Sequence, residues 1–173
     1  MAQIYLVRHT QVDVPPGVCY GISDVPLATS FPEEAQKIME KIQGIPFDYI
    51  FSSPLSRCTR LARLIAPQGF VTDPRLAELN FGKWEGQIWE DIYQNSYGIH
   101  WMNNYLELPC PGGESFKNLY HRINAFINEL NKNQNTLIIT HAGVIRAFLT
   151  VYKGIPLTEI FNVQVGYGEV LIF

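Results

Sequence analysis

Cysteine, charge and long apolar runs are all scarce in this chain, and each shortage removes a class of protein. Cys19, Cys58 and Cys110 are odd in number and widely spaced. They form neither a CxxC metal pattern nor a disulfide framework, so free thiols in a reducing cytoplasm are expected. The formal net charge is only −3 and charged residues make up 17% of the chain. Bulk attraction to nucleic acid or to a membrane surface is therefore not indicated, and any anion binding must come from local charge. No apolar stretch reaches the length that spans a bilayer. The N-terminus has no basic segment ahead of a signal-peptide core, because Ile4–Val7 is short and Arg8 ends it. Repeats and low-complexity segments are also missing. The expectation is a cytoplasmic protein with no membrane and no nucleic-acid partner.

What is present is an ordinary apolar fraction, 47% of 173 residues. That suits one domain over 1–173 with a substantial core. Strand and helix patterns alternate. Gln3–Arg8 reads as a buried strand, followed by a long Pro/Gly-rich loop at Val14-Pro15-Pro16-Gly17. Ser30, Pro32 and Glu33 mark a helix start with a hydroxyl cap, and that helix runs to about Gln43 and stops at Gly44. Asp48–Ser52 reads as a strand, and Ser53-Pro54 opens a helix. Gly69–Thr72 is a weak strand, and Asp73–Gly86 is irregular. Helices follow at Trp89–Gln94, at Ser115–Leu130 and at Val144–Tyr152, with a strand at Thr136–Thr140 between the last two. Asn162–Val165 and Glu169–Phe173 read as a closing hairpin. This order argues for a three-layer α/β/α fold, a mostly parallel sheet with helices on both faces.

Two of the strand patterns end in a histidine. Ile4–Val7 leads to Arg8-His9-Thr10, and Leu137–Thr140 leads to His141-Ala142-Gly143. In open α/β sheets the ligand crevice lies at the carboxyl ends of the strands. A guanidinium there suits phosphate or carboxylate, and it lowers the pKa of an adjacent imidazole, keeping His9 neutral and nucleophilic. At the other strand end, backbone N–H groups of a starting helix favour anions. Arg57 falls in the first turn of its helix, where a cation opposes the helix dipole; a bound anion would account for that position. Arg60 and Arg63 read as a solvated face. Glu78 lies between Ala77 and Leu79, where partial burial favours the protonated form that a general acid needs, and Glu85 is a competing candidate. Trp84, Trp89, Trp101, Tyr97 and Tyr105 are candidates for a leaving-group pocket or for core. A metal site from the four histidines is the weakest option, since His100 and His121 sit in helical patterns without a carboxylate partner.

Five segments in order resemble the successive motifs of the histidine phosphatase superfamily, which includes the cofactor-dependent phosphoglycerate mutases. They are Leu6-Val7-Arg8-His9-Thr10, Ser52-Ser53-Pro54-Leu55-Ser56-Arg57, the run from Glu78 to Gly86, Pro111-Gly112-Gly113-Glu114-Ser115, and Thr140-His141-Ala142-Gly143. The resemblance implies a phosphoglycerate mutase-like fold and a phosphohistidine mechanism that needs no metal and no cofactor. It makes His9 the nucleophile, Arg8, Arg57 and His141 the phosphate pocket, and Glu78 the proton donor. Thr10, Tyr20, Gly21 and Ala142 join the expected substrate contacts. The chain departs from the family where Pro15 replaces a phosphate-binding Asn and Thr10 a Gly, and the usual Gly is absent around Ala28–Phe31. Gly17-Val18-Cys19-Tyr20-Gly21 with Asp24 and Leu27 is most similar to α-ribazole-5′-phosphate phosphatases of cobalamin nucleotide-loop assembly. The chain is short, without the long insertion that covers a mutase site, which favours hydrolysis over mutation. The expected partner is a small phosphate monoester, and the chain is expected to be a monomer or homodimer. A phosphoglycerate mutase, a broad-specificity phosphatase and a non-catalytic phospho-ligand module are the alternatives.

Overall fold

Period-2 alternation decides how this sheet is covered. In a strand buried on both faces, successive side chains enter opposite cores. In the computed structural model, which describes residues 2–173, β1 (Ile4–Arg8) sends Ile4 and Leu6 to one face and Tyr5 and Val7 to the other. β4 (Thr136–Thr140) divides in the same way, with Ile138 opposite Leu137 and Ile139. On the Tyr5 face lie α1 (Phe31–Lys41) and α2 (Ser56–Ile65), through Ala35, Ile38, Cys58, Leu61 and Ala62. On the Ile4 face lie α5 (Phe116–Glu129) and α6 (Ala142–Lys153), through Leu119, Ile123, Phe126, Ile145 and Phe148. The result is three layers.

The remaining strands are β2 (Tyr49–Ser52), β3 (Val71–Thr72) and β5 (Val170–Ile172), and the sheet order is β3-β2-β4-β1-β5. All pairs are parallel except β1 with β5. β1 and β4 are neighbours, with Arg8 opposite Thr140. Their outgoing connections diverge, since α1 covers one face and α6 the other. That divergence opens a crevice at their carboxyl ends.

A segment between β3 and α5 carries α3 (Trp89–Gln94) and α4 (Ser96–Asn104) and closes its own small core of Cys19, Trp84, Ile92, Trp101 and Cys110. Several sequence expectations need correction. α4 gave no periodic signal, because Gly98 and a run of polar residues interrupt it; it is started by the Asn95 side chain, which accepts the Gly98 N–H at 2.7 Å. The expected C-terminal hairpin does not form. Only Val170–Ile172 is a strand, and it pairs with β1, while 160–162 is a 3-10 turn. Ser30 does not cap α1: its backbone is helical, and its hydroxyl donates to Glu34 Oε1 at 2.6 Å. α6 begins two residues earlier than expected, directly after His141. Ser115, by contrast, forms a full capping box with Asn118.

Candidate active site

Because β1 and β4 run side by side in register, the residues that follow them are neighbours. The His9 N–H donates to Thr140 O at 3.0 Å. The two imidazoles lie edge to face with ring centroids 5.1 Å apart. Both are buried, His9 being 2% exposed and His141 fully enclosed. Burial lowers the His9 pKa well below its usual value, and the Arg57 and Arg8 charges add to this; the Thr10 carbonyl opposes them. Burial likewise depresses His141, followed by His9 and Arg57. Both rings are therefore neutral near pH 7.

The tautomers follow from the partners. His9 Nδ1 lies 2.7 Å from Thr10 O. A carbonyl only accepts, so Nδ1 carries the proton and Nε2 keeps its lone pair. Arg57 Nε donates to His141 Nδ1 at 3.3 Å. His141 Nε2 is then the protonated nitrogen and donates to Ser53 Oγ at 2.7 Å.

Arg57 is fully buried in the first turn of α2. It also donates to Ser23 O at 2.8 Å and to Gly21 O. Much of its fork is thus committed to holding His141 and the 21–23 loop, while its edge lines the crevice. Arg8 is fixed from the opposite end of the chain. Its Nη1 donates to Val165 O at 2.6 Å, and the Tyr167 ring covers its guanidinium at 3.8 Å. The Tyr20 and Tyr167 hydroxyls meet at 2.6 Å.

The two candidate acids separate by geometry. Glu85 accepts the N–H groups of Gly21, Ile22, Ser23 and Phe81 at 2.9–3.1 Å. Burial alone would raise its pKa, but these hydrogen bonds outweigh it and lower the value. Glu85 is a loop anchor. Glu78 instead lines the crevice, with Oε1 taking the Leu79 N–H at 3.0 Å and Oε2 the Gly143 N–H at 3.1 Å. Thus the Glu78 carboxyl group itself caps the start of α6, accepting the Gly143 N–H. Its backbone is held by Arg122, which donates to the carbonyls of Arg75, Ala77 and Glu78 and pairs with Glu114 at 2.9 Å.

The crevice encloses about 210 Å³ and is lined by Arg8, His9, Tyr20, Arg57 and Glu78, joined by Phe81, Trp89, Gly143, Arg146 and Phe161. His141, Thr10, Gly21 and Ala142 sit behind this lining and are buried. His141 supports Arg57. The Thr10 carbonyl orients His9, and its hydroxyl has no partner among the described residues. Gly21 passes so close to Leu79 that a Cβ would fall 1.8 Å from its carbonyl oxygen. An adjoining cleft of about 310 Å³ shares Phe81, Trp89 and Phe161 with the crevice and adds Tyr93, Trp101, Met102 and Tyr105. Trp84 is core, and Tyr97 lies outside the cleft. Arg60, Arg63, His100 and His121 are exposed. Among the described residues no group of three or more His, Cys, Asp or Glu is arranged to hold a metal, the three cysteines are buried and unpaired, and no helix is long and apolar enough to cross a membrane.

Sequence reasoning did not single out Arg146, Ser53, Arg122 or Tyr167. Arg146 was detectable in principle, since it stands one helical turn after Ala142, on a helix that starts at the crevice.

A doubly wound sheet with neutral, oriented histidines between guanidiniums at its central strand ends defines an enzyme of the phosphohistidine type. The chain belongs to the histidine phosphatase superfamily (branch 1), whose profile matches residues 4–173. It is 28% identical over 178 residues to the adenosylcobalamin/alpha-ribazole phosphatase of Escherichia coli K12, across 96% of this chain and 86% of that one. It is 26% identical over 172 residues to phosphoserine phosphatase 1 of Hydrogenobacter thermophilus, across 94% of this chain and 81% of that one. The crystal structure of the alpha-ribazole phosphatase from Shigella flexneri superposes with a TM-score of 0.89 at 26% identity, covering 98% of this chain and 89% of that one. The architecture is the phosphoglycerate mutase-like fold of this superfamily.

Proposed function

We propose that this enzyme hydrolyses α-ribazole 5′-phosphate, a step of cobalamin assembly, through a phosphohistidine at His9. The observation that carries the chemistry is the His9 tautomer: its Nδ1 proton is committed to Thr10 O, which leaves Nε2 a free base on a ring that lines the crevice. In the first step Nε2 bonds to phosphorus as the ester P–O bond breaks. Arg8 and Arg57 offset the phosphoryl charge, and Glu78 protonates the departing alkoxide. In the second step water attacks phosphorus, the P–N bond breaks, and Glu78, now a carboxylate, takes the water proton. The two arginines supply the charge stabilisation that a metal gives elsewhere, so no metal is needed.

The substrate reading is supported by the aromatic cleft that continues the crevice, with Trp89 and Phe81 edge to face at 5.1 Å. A flat aromatic base suits such walls. Similarity to the alpha-ribazole phosphatases supports the same reading. Phosphate release from α-ribazole 5′-phosphate should exceed that from simple sugar phosphates at least tenfold in kcat/KM, and it should survive EDTA. Equal rates would replace this reading with a broad-specificity phosphatase. Phosphoryl transfer between phosphoglycerates with little free phosphate would indicate a mutase, and binding without turnover a recognition module.

A further inference from the structure

Arg8 has to hold its plane and keep its charge free for phosphate. A carboxylate partner would give the first at the expense of the second. Among the described residues no Asp or Glu oxygen lies within 4.0 Å of Arg8, and its Nε is buried without a partner. What holds the guanidinium is uncharged. Nη1 donates to Val165 O at 2.6 Å, and the Tyr167 ring lies 3.8 Å from Cζ. A ring face fixes the plane of the fork, takes none of its N–H groups and leaves its charge unneutralised.

Tyr167 is itself held by the strand that carries the nucleophile. It stands in a turn where the Gly168 N–H donates to His9 O at 3.2 Å and the Arg8 N–H donates to Glu169 O at 3.0 Å. The Glu169 carboxylate closes the turn by accepting the Gly166 N–H, and Gly168 takes the left-handed conformation, φ 64°, that the turn needs. The Tyr167 ring lies 5.6 Å from that of His9, and its hydroxyl meets the Tyr20 hydroxyl at 2.6 Å. Tyr20 in turn faces Arg57, 5.5 Å from its Cζ. Each phenol therefore backs one arginine, and their hydroxyl contact joins the first loop to the C-terminal turn. Burial, then the bond to Tyr167, raises the Tyr20 pKa, so Tyr20 brings no negative charge to the phosphate end. Tyr20 lines the crevice and Tyr167 does not, so Tyr167 acts from behind Arg8 rather than on the substrate.

We infer that Tyr167 is a positioning residue for phosphoryl transfer, its ring holding the Arg8 guanidinium in the plane that meets the transition state. This rests on phosphohistidine chemistry at His9 but not on α-ribazole as substrate.

The test uses p-nitrophenyl phosphate, whose leaving group needs no acid, so that Glu78 does not enter. A desolvated cation–π contact is worth about 10- to 30-fold. Tyr167→Leu should lose that factor in kcat, with KM changed less than about threefold. Orthovanadate, a mimic of the pentacoordinate transition state, should bind more weakly by the same factor, and inorganic phosphate should not. Tyr167→Phe keeps the ring and should recover most of the loss. In an Arg8→Met background, Tyr167→Leu should cost nothing further, whereas a merely structural role would cost as much in both backgrounds. Without any variant, ¹⁵N–¹H spectra of the ligand-free wild type should show Arg8 guanidinium protons shifted upfield by the ring, with slow rotation about Nε–Cζ. An equal loss with and without Arg8, a Tyr167→Phe as impaired as Tyr167→Leu, or an Arg8 fork that rotates freely until vanadate binds would overturn the role of Tyr167 alone. No hydrolysis by the wild type would overturn the phosphatase reading, while the Arg8 spectra would still decide whether Tyr167 holds the fork.

Discussion

A histidine attacks phosphorus only through an unprotonated nitrogen, and burial beside Arg57 and Arg8 keeps His9 in that form. Its lowered pKa predicts a flat kcat/KM, corrected for substrate ionisation, from pH 8 down through 6.5; a His9 limb centred at or above 6.5 would contradict the assignment. Arg57 is the residue whose replacement discriminates most, because it holds His141, Ser23 and Gly21 while facing the crevice. An ammonium cannot reproduce that fork. Arg57→Lys should lose about 10- to 1000-fold in kcat/KM, roughly 1.4–4 kcal/mol, and a change under about twofold would remove Arg57 from the site. Glu78→Gln should cripple hydrolysis of alkyl monoesters but hurt p-nitrophenyl phosphate much less, since nitrophenolate leaves without a proton. Equal losses on both would make Glu78 a structural group. The sequence favoured Glu78 on its apolar neighbours and its family motif, but left Glu85 as a competitor. The backbone N–H groups around Glu85, three of them contributed by a loop some sixty residues away, and the place of Glu78 in the crevice lining tell them apart.

At the scale of elements, the site depends on loops held from a distance. Glu85 ties the 21–23 loop to Phe81, and Arg57 ties the same loop to α2. Glu85→Gln removes the charge from all four bonds and sets its NH2, a donor, against the two N–H groups that share one oxygen, a loss of about 1–3 kcal/mol for each group left unpaired. Amide exchange of Gly21, Ile22 and Ser23 should accelerate more than that of β1 or β4; unchanged protection of the loop would show that Glu85 is not its anchor. Strands and long helices were legible because apolar periodicity encodes them, and Thr136–Thr140 was read to the residue. α4 was not, since its start depends on one Asn95 side chain and its packing on Trp101 in a local aromatic core. The C-terminal hairpin was misread for the opposite reason: Val163 and Val165 alternate as a strand would, yet their carbonyls serve Arg146 and Arg8.

Across the whole molecule, the sequence disclosed the two histidines at strand ends but not that the strands are neighbours. That adjacency comes from the β3-β2-β4-β1-β5 order, which long-range pairing sets and no local pattern records. Arg146 stayed hidden because an arginine on an amphipathic helix usually faces water. Enclosing two neutral imidazoles at the centre of the fold also couples stability to pH. Both folded-state pKa values lie below the unfolded value of about 6.5. Above that pH the two groups contribute no pH dependence; below it the unfolded chain binds more protons, so stability falls as pH drops. Between pH 6.5 and 5 each histidine should add a slope of up to about 1.4 kcal/mol per pH unit. Calorimetric Tm values should decline over that window, and less steeply in His9→Asn; a slope unchanged by that substitution would contradict the His9 shift. The central claim is the covalent step at His9. Enzyme mixed with ³²P-labelled substrate and quenched in base within milliseconds should carry label that is stable to alkali and labile to acid. Peptide mapping should locate it at His9, and His9→Ala should show neither label nor turnover. Turnover with label on another residue, or full activity in His9→Ala, would contradict the account.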